Sequence, residues 1–233
     1  PLSLDTAGTA LVIGTTESWE AGKVLTSDAA VDNGASRNIV IGSPIGAQAT
    51  VLPTTFTWAN LAQAHKDALN KSPYSVPVVT DTLGINRLGY LRGSRVDEIK
   101  PATPTAMFRP RDSILGDIVN SGLVYMGRPS TAIAGTDYNT FFNTNKTRRP
   151  VIFVNANDGM LHAFYDSDGK EAFAYIPGFV ASALNKIPDQ DYAHFSINDA
   201  TPAVAEAYVG SEWRSVLVSG VGAGGQGLYA LDV

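Results

Sequence analysis

The chain has 233 residues, of which 44% are hydrophobic, and its mean hydropathy is 0.00, values that are typical of a globular protein. Its 17 basic and 22 acidic residues give a net charge of −5 and an isoelectric point near 5.1, which argues against a nucleic-acid-binding protein. The absence of cysteine excludes a disulfide framework, a thiolate metal site and a cysteine nucleophile. No apolar run reaches the ~18 residues of a membrane span.

The N-terminal part of the chain predicts short helices and one strand. Thr57 is a suitable N-cap for a helix in which Trp58, Leu61, His65 and Leu69 fall on one face. Further elements are predicted at residues 18–25 and 83–91, both helices, and at residues 37–41, a strand. Gly93 is expected to end the third helix.

A proline-rich stretch, residues 100–110, is the best candidate for a linker. We therefore predict two units. Residues 1–107 form a mixed α/β segment with short helices, and residues 108–233 form a mainly β unit.

An outline of two strands and a tight turn occurs twice in the C-terminal half. Residues 151–166 read VIFVNANDGMLHAFYD, and residues 216–232 repeat the apolar run, the glycine-containing turn and the Leu-aromatic-Ala sequence. Leu161 aligns with Leu228, an offset of 228 − 161 = 67 residues. Because periodic β units are typical of propellers, we predict a partial β-propeller with blades like those of quinoprotein dehydrogenases.

The spacing and the number of the predicted blades suggest an incomplete ring. The offset exceeds the ~40 to 50 residues of one blade, which indicates an insertion between residues 179 and 208, with a short helical piece near its start. A further strand is expected at residues 123–126. Residues 108–233 suffice for about two to three blades, whereas closed propellers have about four to eight. We expect the chain to be a segment of a longer protein or of a ring completed elsewhere.

Catalytic and metal-binding patterns are weak in this sequence. No G-x-S-x-G motif is present, and the glycine-rich run at residues 220–227 precedes a strand, which favours a backbone turn over a phosphate loop. Asp166 and Asp168 resemble the opening of a calcium loop, but Glu171 and Pro177 stand where an EF-hand loop requires Gly and Glu. These two aspartates remain candidate metal ligands, and a hairpin turn is the favoured interpretation.

Two further interpretations concern the turn at residues 155–159 and the strand after it. Asn157, Asp158 and Gly159 are expected to supply the positive backbone angles of a tight turn. His162 is expected to be a packing or surface position on a strand.

Several phrases resemble the PilC/PilY family of type IV pilus tip and assembly proteins. They are YLRGSR at 90–95, FRPRDSILGDIVNS at 108–121, NANDGMLHAF at 155–164, GKEAFAYIP at 169–177, NDATP at 198–202 and WRSVLVSGVGAGGQGLYALDV at 213–233. The residues that carry these motifs most clearly are Gly116, Asp117, Asn157, Asp158, Gly159, His162, Trp213, Gly224, Gly225 and Asp232.

The resemblance implies a non-enzymatic protein at the pilus tip or the outer-membrane surface, which promotes pilus assembly and adhesion to host cells or abiotic surfaces. Its implied partners are minor pilins and the pilus machinery. Nucleic acid is not an expected partner. It implies no cofactor in this chain and a calcium loop in a later blade of the longer protein. Two alternatives remain open at this point: a quinoprotein-like dehydrogenase propeller, and a secreted carbohydrate-binding propeller.

Overall fold

The computed structural model describes residues 2–4, 11–13, 18–44 and 52–233. Its helices are α1 (Ala21–Asp32), α2 (Gln63–Leu69), α3 (Gly84–Arg92) and α4 (Thr136–Asn145). Its strands are β1 (Leu2–Leu4), β2 (Leu11–Ile13), β3 (Ile39–Ile41), β4 (Thr54–Thr55), β5 (Val124–Met126), β6 (Val151–Asn155), β7 (Leu161–Tyr165), β8 (Glu171–Ile176), β9 (Ala203–Val209), β10 (Glu212–Gly220) and β11 (Leu228–Asp232).

The larger sheet has six strands in the order β4-β3-β8-β7-β6-β5. Strands β5 to β8 form an antiparallel meander of four strands, the arrangement of a propeller blade. The apolar, β-branched sequence of β6 and the aromatic sequence of β7 suit strands that are buried on both faces. Beyond the meander, β3 pairs with β8 in parallel and β4 pairs with β3.

The second sheet has three antiparallel strands in the order β11-β10-β9. The hairpin of β10 and β11 repeats the hairpin of β6 and β7, with Gly220 opposite Leu228 as Asn155 is opposite Leu161. Neither sheet closes on itself within the described residues. The structure therefore confirms a mainly β chain with short helices and a partial β-propeller.

The helices of the N-terminal part differ from the sequence prediction at their ends. Helix α1 starts at Ala21 because the Glu20 carboxylate caps it, accepting hydrogen bonds of 2.8 Å from the amides of Gly22 and Lys23. It continues to Asp32, past the predicted end. Helix α2 starts at Gln63, since the residues after position 57 form turns instead of a first helical turn. Helix α3 ends at a left-handed Gly93, as predicted.

The predicted linker packs against the rest of the protein. Phe108 is buried and lies edge-on to Tyr90, with the ring centroids 5.6 Å apart. Its amide donates to the carbonyl of Asp97 at 2.9 Å. The boundary between residues 107 and 108 stays a prediction, and strand β3 from the upstream segment pairs with strand β8 of the downstream one.

The hydrophobic core lies in two main places. One cluster packs helices α2 and α3, strand β3 and the 3-10 helix Gly178–Lys186 against each other. The other packs the two sheets together through Phe153, Leu161, Tyr175, Leu217 and Tyr229. The buried aromatic side chains between the sheets fix how one blade lies on the next.

No helix in the described part of the chain is long and apolar enough to cross a membrane.

Candidate functional site

A cluster of four charged side chains lies inside the larger sheet. His162 on β7 is 0% exposed, with Nε2 3.0 Å from Oδ2 of Asp158 and Nδ1 2.8 Å from Oε1 of Glu171. Arg37 binds the Glu171 carboxylate with two parallel hydrogen bonds of 2.8 Å, from Nε and Nη2. Two cations and two anions therefore alternate in a buried row, in which each charge has a partner of opposite sign.

A β-bulge explains how Glu171 reaches His162. The register between β7 and β8 shifts after Ala163, so that Phe164 pairs with Glu171 instead of Ala172. His162 and Phe164 are two residues apart on one strand and share a face, and their rings stack 5.5 Å apart. The bulge thus places the Glu171 carboxylate on the face that carries the imidazole.

Each charged group in this row stabilises the ionised form of its neighbours. Burial alone would raise the pKa of Glu171, but the charge and hydrogen bonds of Arg37, with those of His162, lower that pKa to about 2. Burial alone would lower the pKa of His162, but Asp158 and Glu171 raise it to about 9. Burial alone would raise the pKa of Asp158, but the charge and hydrogen bond of His162, the Gly116 amide and the charge of Arg37 together lower it.

The pKa shifts of His162 and Glu171 predict a pH range in which the local stability of the sheet is greatest. The stabilisation from the His162 imidazolium is complete below pH 6.5 and is lost as the pH rises through about 9, because the unfolded chain loses its proton first. The contribution of Glu171 is complete above pH 4.5 and is lost as the pH falls towards about 2. We expect local stability to be greatest between pH 4.5 and 6.5 and to fall by about 3 kcal/mol by pH 9.

Hydrogen exchange of residues 151–176 in the intact protein, corrected for intrinsic exchange, measures this fall. The substitution His162→Asn should remove the decline between pH 6.5 and 9. An unchanged decline in that variant would show that another group causes it.

A network of buried hydrogen bonds centred on Asn155 joins the two blades. The side-chain amide of Asn155 donates to the carbonyl of Ala200 at 2.6 Å and to Oγ of Ser219 at 2.8 Å. Its Oδ1 accepts from the Tyr229 hydroxyl at 2.7 Å and from the amide of Asn198 at 2.9 Å. One side chain at the end of β6 thereby holds the loop before the second sheet and the hairpin within it.

The turn after β6 binds two neighbouring segments. Asn157 donates to Oδ2 of Asp117 at 2.9 Å and accepts from the amide of Ile197 at 2.9 Å. Asp158 accepts a hydrogen bond of 3.0 Å from the Gly116 amide. The side chains of Asn157 and Asp158 thus connect this turn to segments 40 or more residues away.

The backbone of this turn corrects one prediction. Gly159 has the expected positive φ, +88°, but Asn157 and Asp158 are not among the described residues with positive φ. The polar residues are there for their side-chain hydrogen bonds, and only the glycine supplies the left-handed angle.

Close backbone contacts account for two motif glycines. A β-carbon at Gly116 would overlap the backbone nitrogen of Asp158, and one at Gly224 would overlap the carbonyl oxygen of Ile197. Gly225 has a φ of +137°, which other residues rarely adopt. The backbone at Gly116, which contacts the turn after β6, and the backbone at Gly224, in the turn after β10, therefore leave no room for a side chain.

The remaining predicted residues lie away from the charged row. Trp213 on β10 packs edge-on against Tyr138 of α4, with centroids 5.0 Å apart. Asp232 on β11 forms an exposed ion pair of 2.5 Å with Arg214. The structure therefore brings together the motif residues from 116 to 162 and places Trp213 and Asp232 in packing and surface contacts of the second sheet.

The two candidate metal ligands lie in the turn between β7 and β8. Asp168 accepts a hydrogen bond from the amide of Lys170 at 3.1 Å and pairs with Arg149 at 3.3 Å. Among the residues that the structure describes, no group of three His, Asp or Glu side chains is arranged to hold a metal ion. The contacts of Asp168 are those of a capped hairpin turn.

An open cleft of about 280 Å³ lies next to Asp158. Its wall includes Tyr90, Arg109, Arg111, Asp117, Asn157 and Tyr192. Arg111 lies over the ring of Tyr90 at 3.6 Å, and Arg109 lies over the ring of Tyr192 at 4.1 Å. Two cation–aromatic pairs thus line the cleft.

Sequence reasoning missed Arg37, Glu171 and Tyr90. Arg37 and Glu171 are 134 residues apart, and nothing in the spacing of the sequence indicates their pairing. The phrases that contain Tyr90 and Glu171 were recognised only as parts of the family resemblance. A charged residue within an otherwise apolar strand, as Glu171 is in EAFAYI, is the one local signal of a buried ion pair.

Comparisons with known proteins agree with this architecture. A family model described as the PilY1 beta-propeller domain matches residues 115–233. A Type IV pilus biogenesis factor PilY1 from Pseudomonas aeruginosa strain PAK is 40% identical over 230 residues, which cover 94% of this chain and 18% of that protein. A PilY1 homolog from Xylella fastidiosa strain Temecula1 is 41% identical over 155 residues, covering 63% of this chain and 12% of that protein.

Among solved structures, the chain is similar to the crystal structure of the Pseudomonas aeruginosa PilY1 C-terminal domain, with 42% identity, coverage of 41% of this chain and 18% of that chain, and a TM-score of 0.32. The chain spans about a fifth or less of the length of the relatives named above. The family model covers the whole C-terminal half, including both hairpins and all ten motif residues. On this evidence the chain belongs to the PilY1 beta-propeller family.

Proposed function

We propose that this chain is part of a type IV pilus biogenesis factor that acts at the pilus tip or the outer-membrane surface, outside the cell. There it promotes pilus assembly and adhesion to host cells or abiotic surfaces. The observation that carries the proposal is the 40% identity to a Type IV pilus biogenesis factor over 94% of this chain. The proposed partners are minor pilins and other components of the pilus machinery.

The chemistry of the buried charges supports a structural role over a catalytic one. Both ring nitrogens of His162 are bound to carboxylates, and its raised pKa keeps the imidazole protonated at neutral pH. A protonated, fully enclosed imidazole is unsuited to act as a general base. The row instead fastens β7, β8 and the turn that contains Asp158 to one another, which suits a rigid scaffold that presents loops for binding.

Deletion of the gene in its source organism tests the proposal. We expect surface pili, counted by electron microscopy in a retraction-deficient background, to fall severalfold and to recover when the intact gene is supplied. The retraction-deficient parent strain serves as the control, because it separates loss of assembly from faster retraction. A normal number of pili together with normal adhesion would contradict the proposal.

A further inference from the structure

The cleft beside the charged row has the size and the lining of a small-ligand site. Its volume of about 280 Å³ is just below the ~300–1,000 Å³ that ligand pockets occupy. It lies between helix α3, the segment at residues 109–117, the turn at residues 157–158 and the segment at residues 187–192. Charged, aromatic and amide side chains from all these segments meet there.

The two arginines of the cleft are held in place but keep unused donors. Arg109 donates through Nε to the carbonyl of Ile187 at 2.7 Å, and neither of its Nη groups has a hydrogen bond to the residues that the structure describes. Arg111 donates through Nε to Glu98 at 2.7 Å and through Nη2 to the carbonyl of Ser94 at 2.8 Å. A stacked guanidinium with free planar N–H groups is pre-organised to bind a carboxylate or phosphate.

Tyr90, in the wall of the cleft, has an unsatisfied polar group. The side chain is 2% exposed, and its buried hydroxyl has no hydrogen-bond partner among the described residues. Burial raises its pKa, so the hydroxyl is a neutral donor at physiological pH. Since buried polar groups are almost always paired, this hydroxyl is a donor that a ligand or a water molecule can satisfy.

The charges around Tyr90 favour an anion as that partner. Arg95, Arg109 and Arg111 all act on its hydroxyl, against the single carboxylate of Glu98. Glu98 is itself shared between Arg111 at 2.7 Å and Arg95 at 3.5 Å. One carboxylate among three guanidinium groups leaves an excess of positive charge around the Tyr90 hydroxyl.

The cleft also offers a hydrogen-bond acceptor, the carboxylate of Asp117. Asp117 uses Oδ2 to accept from Asn157 at 2.9 Å and to contact Nε2 of His194 at 2.7 Å, and its Oδ1 has no hydrogen bond to the described residues. A free carboxylate oxygen at this position is suited to accept from a hydroxyl group of a ligand. It also repels a doubly charged anion more strongly than a singly charged one.

We propose that this cleft binds a small carboxylate ligand that also carries hydroxyl groups, the chemistry of an acidic sugar. The carboxylate lies against Arg109, Arg111 and the hydroxyl of Tyr90, and the ligand hydroxyls lie against Asp117. The singly charged carboxylate matches the surplus of positive charge without the repulsion that Asp117 imposes on phosphate. This binding site goes beyond the role in pilus biogenesis proposed above and does not depend on it.

Saturation-transfer nuclear magnetic resonance on the intact protein tests the site, with D-galacturonate as the probe and D-galactose as its neutral match. We expect transfer to galacturonate and none to galactose. Arg109→Gln and Tyr90→Phe should each weaken galacturonate binding about tenfold or more, because each removes hydrogen bonds to a charged group. Arg149→Gln and Tyr125→Phe, which lie outside the cleft, should leave binding unchanged.

The Tyr90→Phe variant keeps the test decisive even where Arg109→Gln disturbs the fold. The hydroxyl it removes has no partner in the described protein, so hydrogen exchange of α3 should match the unsubstituted protein. Three results would overturn the proposal: no transfer to galacturonate, binding that both cleft variants leave intact, or equal or stronger competition by inorganic phosphate, which would assign the cleft to a different anion.

Discussion

Replacing Arg37 with methionine should destabilise the larger sheet by about 3–5 kcal/mol, the usual effect of removing one partner from a buried ion pair. Two anions, Asp158 and Glu171, would then face the single charge of His162 in a buried site. The carbonyl of Arg92 would also lose the hydrogen bond of 3.0 Å that Arg37 donates to it. In the intact protein, hydrogen exchange of strand β8 should accelerate by more than about a hundredfold.

Arg149→Met is the matched control for this substitution. Arg149 pairs with Asp168 in the same sheet at 3.3 Å, but the two side chains are 53% and 41% exposed. Exposed ion pairs contribute about 0–1 kcal/mol, so exchange in β8 should change little. Equal effects of the two substitutions would show that the buried row does not hold the sheet together.

Replacing Gly224 with alanine should destabilise the contact between the turn after β10 and the loop that contains Ile197. The new β-carbon would overlap the carbonyl oxygen of Ile197, which is backbone and cannot move aside as a flexible side chain can. Overpacking of this kind costs typically about 1–3 kcal/mol and more where backbone must shift. The expected result is faster hydrogen exchange at residues 195–202 and in the hairpin of β10 and β11.

Gly89→Ala tests whether the effect is specific to the close contact. Gly89 lies within helix α3, and a β-carbon there would meet only Cβ of Ser94 at 3.9 Å. Alanine in a helix interior is favoured over glycine by about 0.5–1 kcal/mol, so this variant should be as stable as the unsubstituted protein or more so. If Gly224→Ala were equally harmless, the turn after β10 would not lie as close to the backbone of Ile197 as the structure shows.

Local patterns predicted the repeated hairpins because each hairpin is built from neighbouring residues. The β-branched run at residues 151–154 and the turn at residues 155–160 are sufficient to specify β6 and β7, and the same holds for β10 and β11. Gly93 ends α3 as expected, since only a left-handed residue completes that helix end.

Contacts between distant residues could not be predicted in the same way. The parallel pairing of β3 with β8 and the bond from Arg37 to Glu171 depend on how the N-terminal segment folds back onto the sheet. No periodic pattern in the sequence indicates that the N-terminal segment packs against the sheet. The β-bulge that moves Glu171 to the face of His162 is likewise invisible in a sequence whose residues alternate without interruption.

The candidate cleft illustrates a second limit. In the sequence, Arg109 and Arg111 lie close to Asp112 and Asp117, and a mixed charge pattern of this kind does not indicate a cleft. The stacking of Arg111 on Tyr90 and of Arg109 on Tyr192 appears only after three segments have come together.

The turn after β6 was predicted only in part. Gly159 has the predicted backbone angle, whereas Asn157 and Asp158 act through their side-chain hydrogen bonds.

The proposed role in pilus biogenesis requires the folded blades of this propeller sector. The most direct measurement is the number of surface pili in a retraction-deficient deletion strain complemented with the gene carrying Arg37→Met or Arg149→Met. We expect full piliation with Arg149→Met and a severalfold deficit with Arg37→Met at equal amounts of protein. Normal piliation with an Arg37→Met protein whose β8 strand exchanges rapidly would contradict it, because the folded sector would then be dispensable for pili.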